Sequence, residues 1–292
     1  MRVLKSDRRL TMPDDPILQR IVPALAEVPG VAAIVLGGSR ARGTATEASD
    51  YDIGLYHAKD RPLDTDRILQ AVRTFADKPE AAEVTPIGGW GPWIVGGGWL
   101  TVEGRKVDLL YRNIEAVSNV IEQCRAGEIG MHYQPGHPHG LCTAIWMGEV
   151  ALCRPLHDPA GRLAALKAAT APYPAALRDA LIRKFNWEIL FAIENAELAA
   201  ARAEQTHVAG CTYRALACTA QVLFAANARY LINEKGALQE AARFPLTIPD
   251  LPKRTDDVWR LIGNGEFAAA LAALRSMDRQ VRQLTANPAD PG

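Results

Sequence analysis

Residues 36–56, LGGSRARGTATEASDYDIGLY, decide how this chain folds and what chemistry it can carry. The apolar run 31–36 enters this stretch as a strand and stops at Gly37-Gly38-Ser39. Asp50-Tyr51-Asp52 then opens a second apolar run, read as a strand over 50–57. Two carboxylates at i and i+2 on a strand project from one face. So close together they repel unless a positive charge lies between them, and a divalent cation is the usual reason for such a pair. Mg²⁺ is typically held by one or two carboxylates together with substrate phosphates. Gly37 and Gly38 let backbone approach a ligand closely, and Ser39 is placed to cap a helix whose N-terminus favours anions.

A third carboxylate follows downstream. Residues 98–112, GWLTVEGRKVDLLYR, read as a hairpin turning at Glu103-Gly104, with Asp108 inside its apolar second strand. Burying a lone Asp costs several kcal/mol unless it is paired or metal-bound. With this strand beside the Asp50/Asp52 strand, three carboxylates converge. Such a site can hold two divalent ions and clamp the attacking and leaving oxygens of a phosphoryl transfer. Arg40 and Arg42 flank the glycine turn, where a guanidinium can steady phosphates.

On Gly37-Gly38-Ser39, Asp50-Tyr51-Asp52 and Asp108, the chain resembles the DNA polymerase β-like nucleotidyltransferase superfamily. The form SRARG…SDYD is similar to its small bacterial branch, which includes antibiotic nucleotidyltransferases and minimal nucleotidyltransferases of toxin–antitoxin pairs. The resemblance covers residues 25–115 by motif and the remainder only by architecture. It implies transfer of an NMP, with ATP as the default donor, to an acceptor hydroxyl, using Mg²⁺ or Mn²⁺ held by Asp50, Asp52 and Asp108. Gly37, Gly38, Ser39, Arg40, Arg42 and Lys235 would bind the nucleotide. A small hydroxyl compound of aminoglycoside type is the expected acceptor, and Glu115, Glu122 or Glu149 could meet a cationic sugar. The alternatives are a toxin–antitoxin-type enzyme modifying tRNA or protein, and a non-catalytic nucleotide-binding regulator. Competing motifs fit less well. Glycosyltransferases with Asp-x-Asp lack the upstream Gly-Gly-Ser turn, no Walker loop occurs, and Gly96-Gly97-Gly98 is no dinucleotide fingerprint.

The 292 residues suffice for two domains, expected at 1–157 and 158–292. The 33 basic and 33 acidic side chains cancel, and a missing basic excess disfavours a polynucleotide partner. No run of the ~20 apolar residues that span a bilayer is evident, so no membrane partner is expected. No signal-peptide core is evident at the N-terminus, where Met12 is a candidate start. Five cysteines without C-x-x-C spacing suggest free structural thiols in a reducing cytoplasm.

The expected fold is an α/β (α+β) domain with a mixed sheet, followed by an all-α helical bundle. Helices are expected at 16–28, from Ser39, and from Pro62 to Asp77, and a further strand at 82–87. Apolar stripes at 177–198, 213–231 and 266–284 build the bundle, the second helix running to Lys235 with Gly236 as its C′ residue. Asn227 falls on that stripe and is either a bundle contact or a polar group for the nucleotide. The segment HYQPGHPHG at 132–140 holds three of six histidines, but its spacing matches no zinc pattern, so it reads as a loop. Residues 287–292, NPADPG, read as a frayed tail.

Overall fold

A computed structural model describes residues 15–286. The candidate start at Met12 and the tail 287–292 lie outside the described residues. In chain order the elements are α1 (Pro16–Ala26), β1 (Ala33–Leu36), α2 (Gly38–Arg42), β2 (Tyr51–His57), α3 (Thr65–Arg73), β3 (Gly97–Val102), β4 (Arg105–Asn113) and α4 (Ile114–Arg125). There follow β5 (Met131–His132), β6 (Leu141–Cys142), α5 (Ala144–Leu152), β7 (Arg154–His157) and α6 (Arg162–Ala169). The last elements are α7 (Ala175–Ala200), α8 (Gln205–Ala226), α9 (Ala237–Ala241), α10 (Leu251–Gly263) and α11 (Phe267–Ala286). They form two compact units, one of residues 15–119 with 149–169, the other of 120–148 with 170–286. Residues 120–148, which precede position 157, thus pack with the helical unit, and 158–169 stay with the sheet.

The first unit is built on a mixed five-stranded sheet in the order β3-β4-β2-β1-β7. Its β2–β4 pair is parallel and its other pairs are antiparallel. Alternation along the strands gives each face its character. Ile34, Ile53, Leu55, Leu109 and Tyr111 bury one face against Ile17, Leu18, Ile21 and Leu25 of α1 and Ile68 and Val72 of α3. α1 starts where it does because Asp15 caps it, accepting from the N–H groups of Ile17 (3.0 Å) and Leu18 (3.3 Å), with Pro16 in the first turn. The β3–β4 hairpin turns at Glu103 (φ +52°) and Gly104 (φ +73°), a two-residue turn with both φ positive. The Asp77 carboxylate accepts from both of their N–H groups, at 2.7 and 2.8 Å.

Four local expectations are corrected. Residues 82–86 are irregular instead of a strand. The third helix begins at Thr65, because Asp64, accepting from the Arg67 N–H, caps it downstream of Pro62. Ser39 lies inside α2, whose N-cap is Gly37 without a side-chain bond. α8 ends at Ala226, since Ala228 turns to φ +51°, and Gly236 is the N-cap of α9. Asn227 is the C-cap of α8; its amide donates to the Leu223 and Leu246 carbonyls (2.7 and 2.8 Å) and accepts from the Leu246 N–H at 3.0 Å, so it is committed to the bundle.

In the second unit, α7 and α8 pack as a long helical pair flanked by α10 and α11. The stripe Leu177, Leu181, Phe185, Ile189 and Ile193 is buried throughout. α8, 22 residues long, is the one helix among the described residues long and apolar enough to cross a membrane by length and composition alone. Of its most apolar window 72% is buried inside the protein.

Candidate active site

The two carboxylates that share a strand pair are Asp52 and Asp108. The parallel register of β2 and β4 sets Asp52 directly against Asp108, on strands about 4.8 Å apart. Their neighbours Tyr51, Ile53, Val107 and Leu109 point into the core, so both acids stand on the opposite, outer face, each half-buried. Asp50 precedes β2, which begins at Tyr51, so the same-strand argument holds for Asp52 alone.

The glycine turn comes to Asp52 because the β1–β2 pairing runs one step beyond Leu36. The Gly37 N–H donates to the Asp52 carbonyl at 2.7 Å. Gly38 follows at φ +59°, and a Cβ there would overlap Asp52 Oδ2. Only glycine both reaches this backbone conformation easily and leaves room for the carboxylate. α2, at five residues, is too short to act through a helix dipole, so the N–H groups of the turn and the Ser39 hydroxyl are the donors this corner offers.

Arg40 is clipped to the loop before β2. Its Nε lies 3.2 Å from both the Ser49 and Asp50 carbonyls, its Nη2 donates to Ser49 O at 2.7 Å, and its guanidinium lies 3.8 Å from the centre of the Tyr51 ring. It thereby fixes the segment carrying Asp50. The Tyr51 hydroxyl donates to Asp15 at 2.9 Å, and burial first, then that bond, pushes the phenol up. At the far end of the outer face, Arg112 makes a two-pronged pair with Glu149, at 2.9 and 2.8 Å. Burial alone would pull the guanidinium down, but Glu149 outweighs it and the net direction is up. Glu115 accepts from Arg162 (2.5 Å) and from the Lys59 N–H (2.9 Å). Of the acids expected to meet a cationic acceptor, Glu115 and Glu149 are therefore already paired, and Glu122 is exposed.

Asp52 and Asp108 suit a divalent ion by their chemistry: hard oxygen donors, facing, of like charge, on a polar face beside backbone donors. Lys235 lies in the second unit, in the loop before α9, its N–H bonded to Asn233 Oδ1 at 2.9 Å. The reading of the chain overlooked Trp99, the register partner of Asp108 on β3. The two-residue turn at Glu103-Gly104 was enough to count that pairing.

Among the described residues, one further group could hold a metal: His139, Glu188 and Cys218, buried in the helical unit. Glu188 already binds Lys184 (3.0 Å) and Arg214 (2.7 Å). His139 Nε2 lies 3.3 Å from Cys218 Sγ. Burial raises the Glu188 carboxyl, yet the two cations more than offset this and hold it low. Burial, then Arg214, pushes His139 down, and burial pushes the Cys218 thiol up. With its carboxylate already held by two cations, and its thiol and imidazole pushed toward their neutral forms, this group is a hydrogen-bonded core network.

Residues 18–122 match the family of nucleotidyltransferase domains. No curated protein matches the chain. Among solved structures it is similar to a nucleotidyltransferase-like protein from Exiguobacterium sibiricum 255-15, at 12% identity and a TM-score of 0.41, over 90% of this chain and 74% of that one. The family match spans β1, the glycine turn, the Asp-Tyr-Asp segment and Asp108, and this similarity over residues 18–122 supports a transferase.

Proposed function

We infer that the first unit transfers a nucleoside monophosphate, AMP from ATP by default, to a hydroxyl of a small acceptor of aminoglycoside type. The observation that carries this reading is the register that sets Asp52 against Asp108 beside the Gly37-Gly38-Ser39 turn. Asp52 and Asp108, with Asp50, are the oxygen donors for Mg²⁺ or Mn²⁺. When bound, such ions offset the charge on the phosphates and on the leaving oxygen. Gly38 and Ser39 hold the outer phosphates through N–H and hydroxyl donors, Arg42 adds charge there, and Arg40 keeps Asp50 in place. The acceptor oxygen attacks the α-phosphorus and its proton passes to the Asp108 carboxylate. The bond to the β-phosphate breaks, and pyrophosphate leaves with the electron pair. Five free cysteines, three of them with thiols pushed up by burial to about 11 (Cys124 and Cys153) and about 12 (Cys142), suit a reducing cytoplasm.

The test is pyrophosphate release from each of the four NTPs with Mg²⁺ or Mn²⁺, against a panel of hydroxyl acceptors. Acceptor-dependent release that disappears in Asp52→Ala is the expected result. Release of equal rate in that variant contradicts the assignment.

A further inference from the structure

The outer face of the sheet carries a second feature beside the carboxylates. Trp99 is 72% exposed, and its indole stacks on that of Trp90 with centroids 4.6 Å apart and planes 22° from parallel. Trp90 lies over Gly97, where a Cβ would overlap the Leu109 carbonyl and come 3.0 Å from the Trp90 ring. Trp99, Asp108 and Asp52 occupy one register row across β3, β4 and β2. Residues paired in this way share a face and lie within side-chain reach. What distinguishes this indole from a scattered surface hydrophobic is its stack on Trp90 and its place in the row of the two carboxylates.

Strand order decides which ligand meets it. The glycine turn follows β1 and lies on the Asp52 flank of the row, whereas the tryptophans stand on the Asp108 flank. Attacking and leaving oxygens in phosphoryl transfer are roughly in line. A triphosphate whose outer phosphates rest on the turn therefore directs the acceptor to the other flank. We propose that Trp99, backed by Trp90, is the acceptor subsite, a platform on which a ring of a small acceptor lies flat with its hydroxyl over Asp108. This rests on the nucleotidyl-transfer reading above. Indole faces take up flat rings by stacking. Lys106, two residues before Asp108 on the same strand face, and the pairing of Glu115 and Glu149 leave the ring face, more than any positive charge, as what the platform recognises. The ring can be the saturated face of a sugar or the plane of a nucleoside base.

The test reads the tryptophan indole N–H signals of the full chain by NMR, with the Trp99 signal assigned by its loss in Trp99→Phe. A non-hydrolysable ATP analogue with Mg²⁺ is added first, then kanamycin, adenosine or the ringless polyol sorbitol. The expected result is a Trp99 signal unmoved by the analogue and by sorbitol but moved by a ringed probe, with kanamycin against adenosine naming the kind of ring. Trp99→Ala then weakens binding of that probe about tenfold or more and leaves analogue binding unchanged. A Trp99 signal that moves with the analogue alone assigns the platform to the donor base and overturns the proposal, as does a signal unmoved by either ring. Failure of the underlying reading shows separately, as pyrophosphate release indifferent to Asp52→Ala.

Discussion

Gly38 holds φ +59° with its Cα against the Asp52 carboxylate, and the consequence is measurable at this one residue. Gly38→Ala must either leave the left-handed region or displace Asp52. A displacement of about 1 Å in such a site costs on the order of a hundredfold in rate, while the backbone strain costs only ~1 kcal/mol. Steady-state pyrophosphate release should thus collapse in Gly38→Ala with the unfolding midpoint little changed. Asp52→Ala and Asp108→Ala are expected to abolish release for a different reason, the loss of oxygen donors. Thermal melts with Mn²⁺ and a non-hydrolysable ATP analogue should raise the parent's midpoint through ligand binding and leave both variants' midpoints where they stand without ligand. An equal rise in the parent and both variants would mean that these carboxylates hold no ions.

Between elements, the far end of β4's outer face is held by the pair of Arg112 and Glu149. Arg112 is 4% exposed at its side chain and Glu149 29%, so removing the acid strands a buried guanidinium. Breaking such a pair costs about 3–5 kcal/mol, here toward the low end because water reaches Glu149. Urea unfolding of Glu149→Gln is predicted to show a loss of about 3 kcal/mol, and no change would mean that water replaces the carboxylate. Much at this scale could be read from the chain. The Glu103-Gly104 turn announces the β3–β4 hairpin, and the apolar run into Gly37 announces β1. β7 was missed because Arg154–His157 is too short to show a period of two. It becomes a strand only by pairing with β1, a contact far away in sequence. Position 62 was misread as a helix start since proline favours first turns, but the cap that decides is Asp64. The three carboxylates were visible in the sequence as a set; that Asp50 stands outside the strand, and that Arg40 is bound to the backbone beside it, depends on loop geometry that no spacing reveals.

Over the whole molecule, each unit has its own buried core, and the helical unit carries a response to pH. In the helical unit His139 is held below its ordinary value of 6.5, chiefly by burial and then by Arg214. The unfolded chain therefore binds a proton more readily than the native one. The stability this group contributes is present above about pH 6.5 and is lost as pH falls toward its depressed folded value. Glu188, held below its ordinary 4.5 by Lys184 and Arg214 despite burial, loses its contribution further down. The melting temperature of the helical unit should fall as the pH drops below about 6.5 and fall again below about 4.5. His139→Gln should flatten the upper step alone, and an unchanged upper step would assign it to another group.

The central claim is that Asp52 and Asp108, paired across β2 and β4, hold the ions that carry the nucleotide. Mn²⁺ titration followed by EPR, with and without a non-hydrolysable ATP analogue, tests it with no acceptor required. The prediction is Mn²⁺ binding that the analogue strengthens, that disappears in Asp52→Ala and that weakens in Asp108→Ala. Binding of equal strength in the parent and both variants would contradict the account.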